Sequence, residues 1–115
     1  MARVVPEHSP SVVRMLSRPR PRFRGVSHRW AFLLSLPVGV LEVALAVGAR
    51  ARVALAFFAF GTTFMFGVSA LVHLRPWPVA RYHRLIQLDH TAIYVCIATH
   101  AVPVGLLVLE GALRV

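Results

Sequence analysis

The residue types best suited to chemistry in this sequence are a serine, a histidine and an aspartate near the middle of the chain. Ser69 and His73 lie at the end of one long apolar run, and Asp89 opens the next. A basic connector with two prolines separates the runs at residues 75–88. An imidazole or a carboxylate at the margin of a membrane span is costly and usually functional. We therefore treat these three side chains as the candidate site.

Two chemistries use these residue types. A histidine can bind zinc while an aspartate positions or deprotonates a water molecule, which is metal-assisted hydrolysis. A serine nucleophile with a histidine base and an orienting aspartate is the second. A serine one turn from its histidine on the same helix, however, is more often a hydrogen-bond donor. A structural interpretation also stands, with His73 at a helix end near lipid headgroups and Asp89 as the N-cap of the third span.

The composition indicates an integral membrane protein of a single domain. The chain has 115 residues, of which 57% are hydrophobic, and its mean hydropathy is +0.68. Its formal net charge is +9, and all thirteen basic residues other than histidine are arginine. The arginines lie outside the apolar runs, where membrane topology places them. This distribution favours membrane lipids over nucleic acid as the partner.

Three apolar runs predict an all-α, polytopic transmembrane helical bundle. The predicted spans are residues 30–48, 53–74 and 89–109, within a membrane domain at residues 25–115. Residues 1–24 are rich in proline and arginine, which predicts an extended basic arm. Small residues in the second span allow neighbouring helices to approach closely, and Pro103 predicts a kink in the third.

The arginine distribution also predicts an orientation. Ten of the thirteen arginines lie before the first span or in the connector between the second and third. The positive-inside rule therefore places the N-terminus in the cytoplasm. In that topology His73 and Asp89 share one membrane depth, and Ser69 lies about 6 Å deeper on the same helical face as His73.

The remaining polar residues are interpreted as structural. Four histidines are assigned to the surface or the membrane interface: His8, His28, His83 and His90. Glu42, inside the first span, is interpreted as a protonated or helix-bonded carboxyl that faces the bundle interior. Cys96 is interpreted as an inert small hydrophobe. His100 lies about 16 Å along the third helix from Asp89 and is left out of the site.

Around these residues the sequence resembles the hemolysin III family, the bacterial branch of the progestin and adipoQ receptor superfamily. The matching stretches are residues 21–25 with His28, residues 66–73, and residues 88–94 with Ile97 and Ala98. The order and spacing of these stretches also agree with the family. A Ser-x-x-x-His motif alone is weak evidence for a family, but its combination with Leu-Asp-His and the basic loop between them is fairly specific.

The resemblance implies a seven-helix protein of the bacterial inner (plasma) membrane that holds a zinc ion near the inner leaflet. By the same resemblance, His73 is a zinc ligand and Asp89 acts near the metal through water. Ser69 matches the serine one turn before that histidine. Members of the family are linked to hydrolysis of lipid amides such as ceramides, to membrane-lipid homeostasis and to cytolysis.

The sequence departs from the family pattern in its metal ligands. The last helix of the family supplies two further histidines as His-x-x-x-His, and no histidine pair in this sequence has that spacing. One imidazole does not complete a catalytic zinc site, which normally takes three protein ligands. Three explanations stay open: a fragment of a longer protein, a degenerate copy, or a short protein that assembles with others.

Two functions are carried forward from the sequence. The first is zinc-dependent hydrolysis of a lipid amide, in which Ser69 supports the site by a hydrogen bond, although this chain alone is incomplete as an enzyme. The second is non-enzymatic perturbation of membranes or pore formation by a homo-oligomer, in which the basic arm contacts anionic lipid.

Overall fold

A computed structural model describes residues 22–109, which form three helices and one π-helical turn. The helices are α1 (Arg22–Leu45), α2 (Ala49–Leu74) and α3 (Val79–Pro103), and the turn is Val104–Val108. These residues contain no strand. The predicted arm lies outside the described residues, except that its last three positions are already helical.

All three helices are long and apolar enough to cross a membrane. The candidate spans are Gly25–Leu45, Ala49–Leu74 and Val79–Val108, with mean hydropathies of 1.3, 1.9 and 1.9. Most of their large apolar side chains are exposed, as expected where lipid is the solvent. The prediction of an all-α, multi-pass membrane fold is confirmed.

Two helices begin earlier than the apolar runs predict. α1 starts at Arg22 rather than near residue 30, and α3 starts at Val79 rather than at Asp89. Pro78 precedes α3 in an extended conformation, with φ −56° and ψ 144°. Asp89 therefore lies ten residues inside α3, and its interpretation as the N-cap of that helix is wrong.

The turn between α1 and α2 depends on one glycine. Gly48 has φ 86°, a left-handed conformation that a residue with a Cβ atom rarely adopts. The carbonyl oxygen of Gly48 accepts a hydrogen bond from the Arg52 backbone N–H at 3.2 Å. The Arg52 side chain closes the turn by donating from Nε to the Ala46 carbonyl at 3.3 Å.

α2 lies between the other two helices. It packs against both α1 and α3, whereas α1 and α3 do not contact each other within residues 22–109. A small core of Val68 and Val72 from α2 and Ala92 from α3 is covered by partly buried side chains. These covering side chains are Phe64, Tyr82, Leu85 and Ile86. Because Ser69 and His73 belong to the same end of α2, this core positions the candidate site.

Small residues set the closest approaches between helices. At Gly61 of α2, a Cβ atom would overlap the Thr99 hydroxyl of α3 and lie 3.3 Å from the Cys96 Cα. At Gly39 of α1, a Cβ atom would lie 2.8 Å from the Ala59 Cβ of α2. Without such residues the backbones could not approach to these distances, so glycine determines the spacing of α2 from both neighbours.

Gly61→Ala should weaken the packing of α2 against α3. Rotation of Thr99 alone does not relieve the contact with the Cys96 backbone, so we expect a loss of about 1–3 kcal/mol in the free energy of unfolding. Titration with sodium dodecyl sulfate in mixed micelles, followed by circular dichroism, measures this loss. Gly105→Ala is the matched control, because no atom lies within 4 Å of the added Cβ. Equal stability of Gly61→Ala and Gly105→Ala would contradict the conclusion that Gly61 sets the spacing between α2 and α3.

Candidate functional site

The histidine and the aspartate of the candidate site lie together. The Nε2 atom of His73 is 3.8 Å from Oδ2 of Asp89, and the two side chains are 21% and 16% exposed. The Nε2 atom itself is buried. An imidazole and a carboxylate at this distance form an ion pair when the histidine is protonated. The pair joins the end of α2 to the interior of α3.

The serine of the candidate site is bonded to a different histidine. Ser69 is buried, with 6% of its surface exposed, and its Oγ lies 2.7 Å from Nδ1 of His28 on α1. The His28 ring also packs edge-on against Phe66, with ring centroids 5.7 Å apart. His28 is predicted to lie at the surface or the membrane interface. In the structure it instead bonds to the buried Ser69.

The early start of α1 explains how His28 reaches the site. Within α1, Gly25, His28 and Phe32 share one face at spacings of three and four residues. A Cβ atom at Gly25 would lie 3.1 Å from the carbonyl carbon of His73, and one at Gly67 would lie 3.0 Å from the Phe32 ring. This face therefore lies directly against the end of α2. A helical pattern extended back to residue 22 would have identified His28.

These pairings differ from a serine–histidine–aspartate relay. In such a relay one imidazole accepts the serine proton and is oriented by the aspartate. Here the serine is bonded to His28, whereas the aspartate is paired with His73. The four residues form two neighbouring pairs. This geometry favours a supporting role for Ser69 over nucleophilic attack. We call these four residues, His28, Ser69, His73 and Asp89, the polar cluster.

The residues present do not complete a zinc site. Residues 22–109 contain no group of three or more histidine, cysteine, aspartate or glutamate side chains arranged to hold a metal ion. The His73–Asp89 pair offers one imidazole and one carboxylate, whereas catalytic zinc normally takes three protein ligands. For zinc to bind at this pair, further ligands would have to come from outside residues 22–109 or from another chain.

His100 belongs to a separate set of contacts between α2 and α3. Its Nε2 lies 2.8 Å from the Thr62 hydroxyl, which in turn donates to the Phe58 carbonyl at 3.0 Å. The Phe58 ring stacks on the imidazole with centroids 4.2 Å apart. The Cys96 sulfur lies 3.6 Å from Nε2. These contacts make His100 part of the structural packing between α2 and α3.

Comparison with known proteins identifies one family. A family model described as haemolysin-III related matches residues 16–114, which include all three helices and the polar cluster. No curated protein and no solved structure matches the chain.

The hydrogen bond between His28 and Ser69 should couple α1 to α2. We expect His28→Ala to lower the free energy of unfolding by about 1–3 kcal/mol, because the buried Ser69 hydroxyl loses its partner. A double-mutant cycle with Ser69→Ala should give a coupling energy of about 1 kcal/mol, measured in mixed micelles as above. His83→Ala, at an exposed position of α3, serves as the control and should leave stability unchanged. Additive effects of the two site variants would show that the bond does not stabilise the fold.

Proposed function

Because the chain belongs to the haemolysin-III related family, we propose that it supplies part of a hydrolytic site for lipid amides at the membrane surface. The observation that carries this proposal is the pairing of His73 with Asp89 at 3.8 Å inside a membrane-spanning fold. A half-buried imidazole beside a carboxylate is suited to hold a metal ion and to position a water molecule for attack. The family is the second support, since it is the resemblance to hemolysin III that implies hydrolysis.

The length of α3 supports a position at the lipid headgroups. The candidate span Val79–Val108 has 30 residues, which extend for about 45 Å, whereas the hydrocarbon core is about 30 Å thick. Roughly ten residues therefore extend past the hydrocarbon. The first ten residues of α3 carry exposed polar side chains at Arg81, His83, Arg84 and Gln87. Asp89 follows them directly, at the depth where the amide of a membrane lipid joins its headgroup to its chains.

The four residues of the polar cluster take different roles in this proposal. His73 would serve as a metal ligand, and Asp89, 3.8 Å from its ring, would position and deprotonate the attacking water molecule. Ser69 positions the cluster through its hydrogen bond to His28, which also ties α1 to the site. None of these roles requires covalent attack by the serine.

The zinc ion that the resemblance implies needs ligands beyond this pair. We propose that a second copy of the chain, or residues outside the described range, supply them. The bundle leaves room for such an addition, because α1 and α3 flank α2 without contacting each other within residues 22–109.

Zinc analysis tests this proposal on the full chain. We expect oligomers purified in detergent to contain zinc in a fixed ratio to the chain and to hydrolyse a fluorescent ceramide. His73→Ala should lose both properties, with activity lower by at least about 100-fold. His90→Ala is the matched control and should keep zinc and activity, because among residues 22–109 that exposed side chain bonds to the Ile86 carbonyl of its own helix and lies outside the polar cluster. Subunit number is determined in parallel for every sample.

Two results would overturn the proposal. The first is equal zinc content in the unaltered chain and in His73→Ala, which would place the metal elsewhere. The second is the absence of zinc and of hydrolysis from every oligomeric state, which would leave the fold without an enzymatic role.

A second candidate function, perturbation of membranes by oligomers, is supported by a different observation. An apolar groove of about 870 Å³ runs between α1 and α2, from Phe32 and Leu71 at one end to Ala44 and Ala56 at the other. Its polar lining is confined to Ser35 and Thr63, whose hydroxyls are hydrogen-bonded at 3.0 Å. Small side chains along such a groove allow a further helix to pack closely.

Glu42 adds to this second candidate. It is half-buried on α1, and no described residue forms an ion pair with it. A carboxyl within a membrane span is expected to face protein rather than lipid. Association of chains through α1 would cover both this side chain and the groove.

Leakage from liposomes distinguishes the two candidate functions. If oligomers permeabilise membranes without catalysis, release of an encapsulated dye should persist with a zinc chelator and in His73→Ala. It should fall strongly in Val40→Trp, because a larger side chain at this exposed lining position obstructs the groove. Leakage that disappears with the chelator would exclude the non-enzymatic function.

A further inference from the structure

We propose that exposed basic side chains on the first turns of α3 form a binding surface for anionic phospholipid headgroups. The surface consists of Arg81, His83 and Arg84, and we call it the basic patch. The proposal stands independently of hydrolysis, because it concerns lipids that surround the protein rather than a substrate.

The packing of α3 presents the basic patch outward. Tyr82, Leu85 and Ile86 lie against the core formed with α2, whereas Arg81, His83 and Arg84 are exposed. Apolar contacts on one side of the segment therefore keep the basic side chains on the opposite, exposed side. The backbone of the basic patch is helical throughout.

The charge of the basic patch has no counterpart among the described residues. Residues 22–109 contain two carboxylates, Glu42 and Asp89. Asp89 is paired with His73, and Glu42 lies on α1, which does not contact α3. No ion pair of Arg81 or Arg84 with a carboxylate occurs in this range. Both guanidinium groups are therefore left available to anions from outside residues 22–109.

The position of the basic patch identifies the anion. Arg84 and Arg81 lie five and eight residues before Asp89, which is about 8 and 12 Å along the helix. With Asp89 at the edge of the hydrocarbon, as inferred from the length of α3, both arginines would reach the level of the lipid phosphates. Arginine guanidinium groups bind phosphate oxygens in a bidentate manner. Lipid phosphates are also the anions present at the highest local concentration at this depth.

Aromatic residues at the same end support a position at the membrane interface. Trp77 is half-buried and donates from its indole nitrogen to the Leu71 carbonyl at 3.1 Å. On α1, the Arg29 guanidinium lies 5.5 Å from the centroid of the Trp30 ring. Tryptophan and arginine together are typical of the headgroup region. The chain has two tryptophans, and both lie at this end.

Quenching of the intrinsic tryptophan fluorescence tests the proposal, because both fluorophores report on the end that carries the basic patch. The full chain is reconstituted in vesicles that contain brominated phosphatidylglycerol or brominated phosphatidylcholine. We expect brominated phosphatidylglycerol to quench the fluorescence more strongly than brominated phosphatidylcholine, which would show a preference for the anionic lipid. The preference should fall by about fivefold for each arginine removed in Arg81→Gln/Arg84→Gln, and it should also fall at 1 M salt.

Three controls isolate the basic patch from other effects. Arg50→Gln/Arg52→Gln removes the same charge at the opposite end and should keep the preference. Arg81→Lys/Arg84→Lys retains the charge and should keep most of the preference for phosphatidylglycerol. His73→Ala should leave the preference intact, so failure of the proposed hydrolysis does not affect this test. Circular dichroism confirms helicity for each variant.

Three outcomes would overturn the proposal. One is an unchanged preference in Arg81→Gln/Arg84→Gln, and another is an equal loss in Arg50→Gln/Arg52→Gln, which would reflect net charge alone. The third is displacement of phosphatidylglycerol by a single-stranded oligonucleotide at equal phosphate concentration, which would assign the patch to nucleic acid. Inorganic phosphate at the same concentration should have no effect.

Discussion

The close approach of α2 to both of its neighbours is the constraint on which this structure depends. Lipid does not drive apolar helices together, so packing and hydrogen bonds must hold them. Glycines provide the contacts: Gly61 against Thr99 of α3, Gly25 against the His73 backbone, and Gly39 against Ala59. With α2 held on both sides, its last turn becomes the place where residues from all three helices can meet.

Hydrogen bonds between helices follow these close contacts and set the rotation of each helix about its axis. His28 bonds to Ser69 and Ser35 to Thr63 between α1 and α2, and Thr62 bonds to His100 between α2 and α3. In a membrane each such bond contributes only about 0.5–1.5 kcal/mol. Their larger effect is geometric, because polar side chains that find partners exclude most other rotations.

The polar cluster combines two pairs of side chains that involve all three helices. His73 and Asp89 lie 3.8 Å apart, whereas the hydrogen bond between His28 and Ser69 joins α1 to α2 beside them. Both pairs lie at the end of the bundle where α3 carries its exposed arginines. The proposed lipid-amide site and the proposed headgroup surface therefore share one end of the bundle.

The class of protein, the number of spans and the family could all be predicted from the sequence. Apolar length and arginine placement are enough for the class and the spans, because the hydrocarbon thickness imposes them on any chain. The family was predicted from the order and spacing of Ser69, His73 and Asp89 around the basic connector. The proline at residue 76 likewise marked the end of α2 at Leu74. Hydropathy could not show that residues 22–29 and 79–88 are helical, since that depends on packing: Gly25 against His73, and Leu85 and Ile86 against the α2 core. The sequence predicted that His73 and Asp89 lie at one depth, but only the packing of the helices shows that Ser69 bonds to His28. Helices that are apolar on nearly every face can rotate without changing their hydropathy, so these partners emerge only when close packing fixes each rotation.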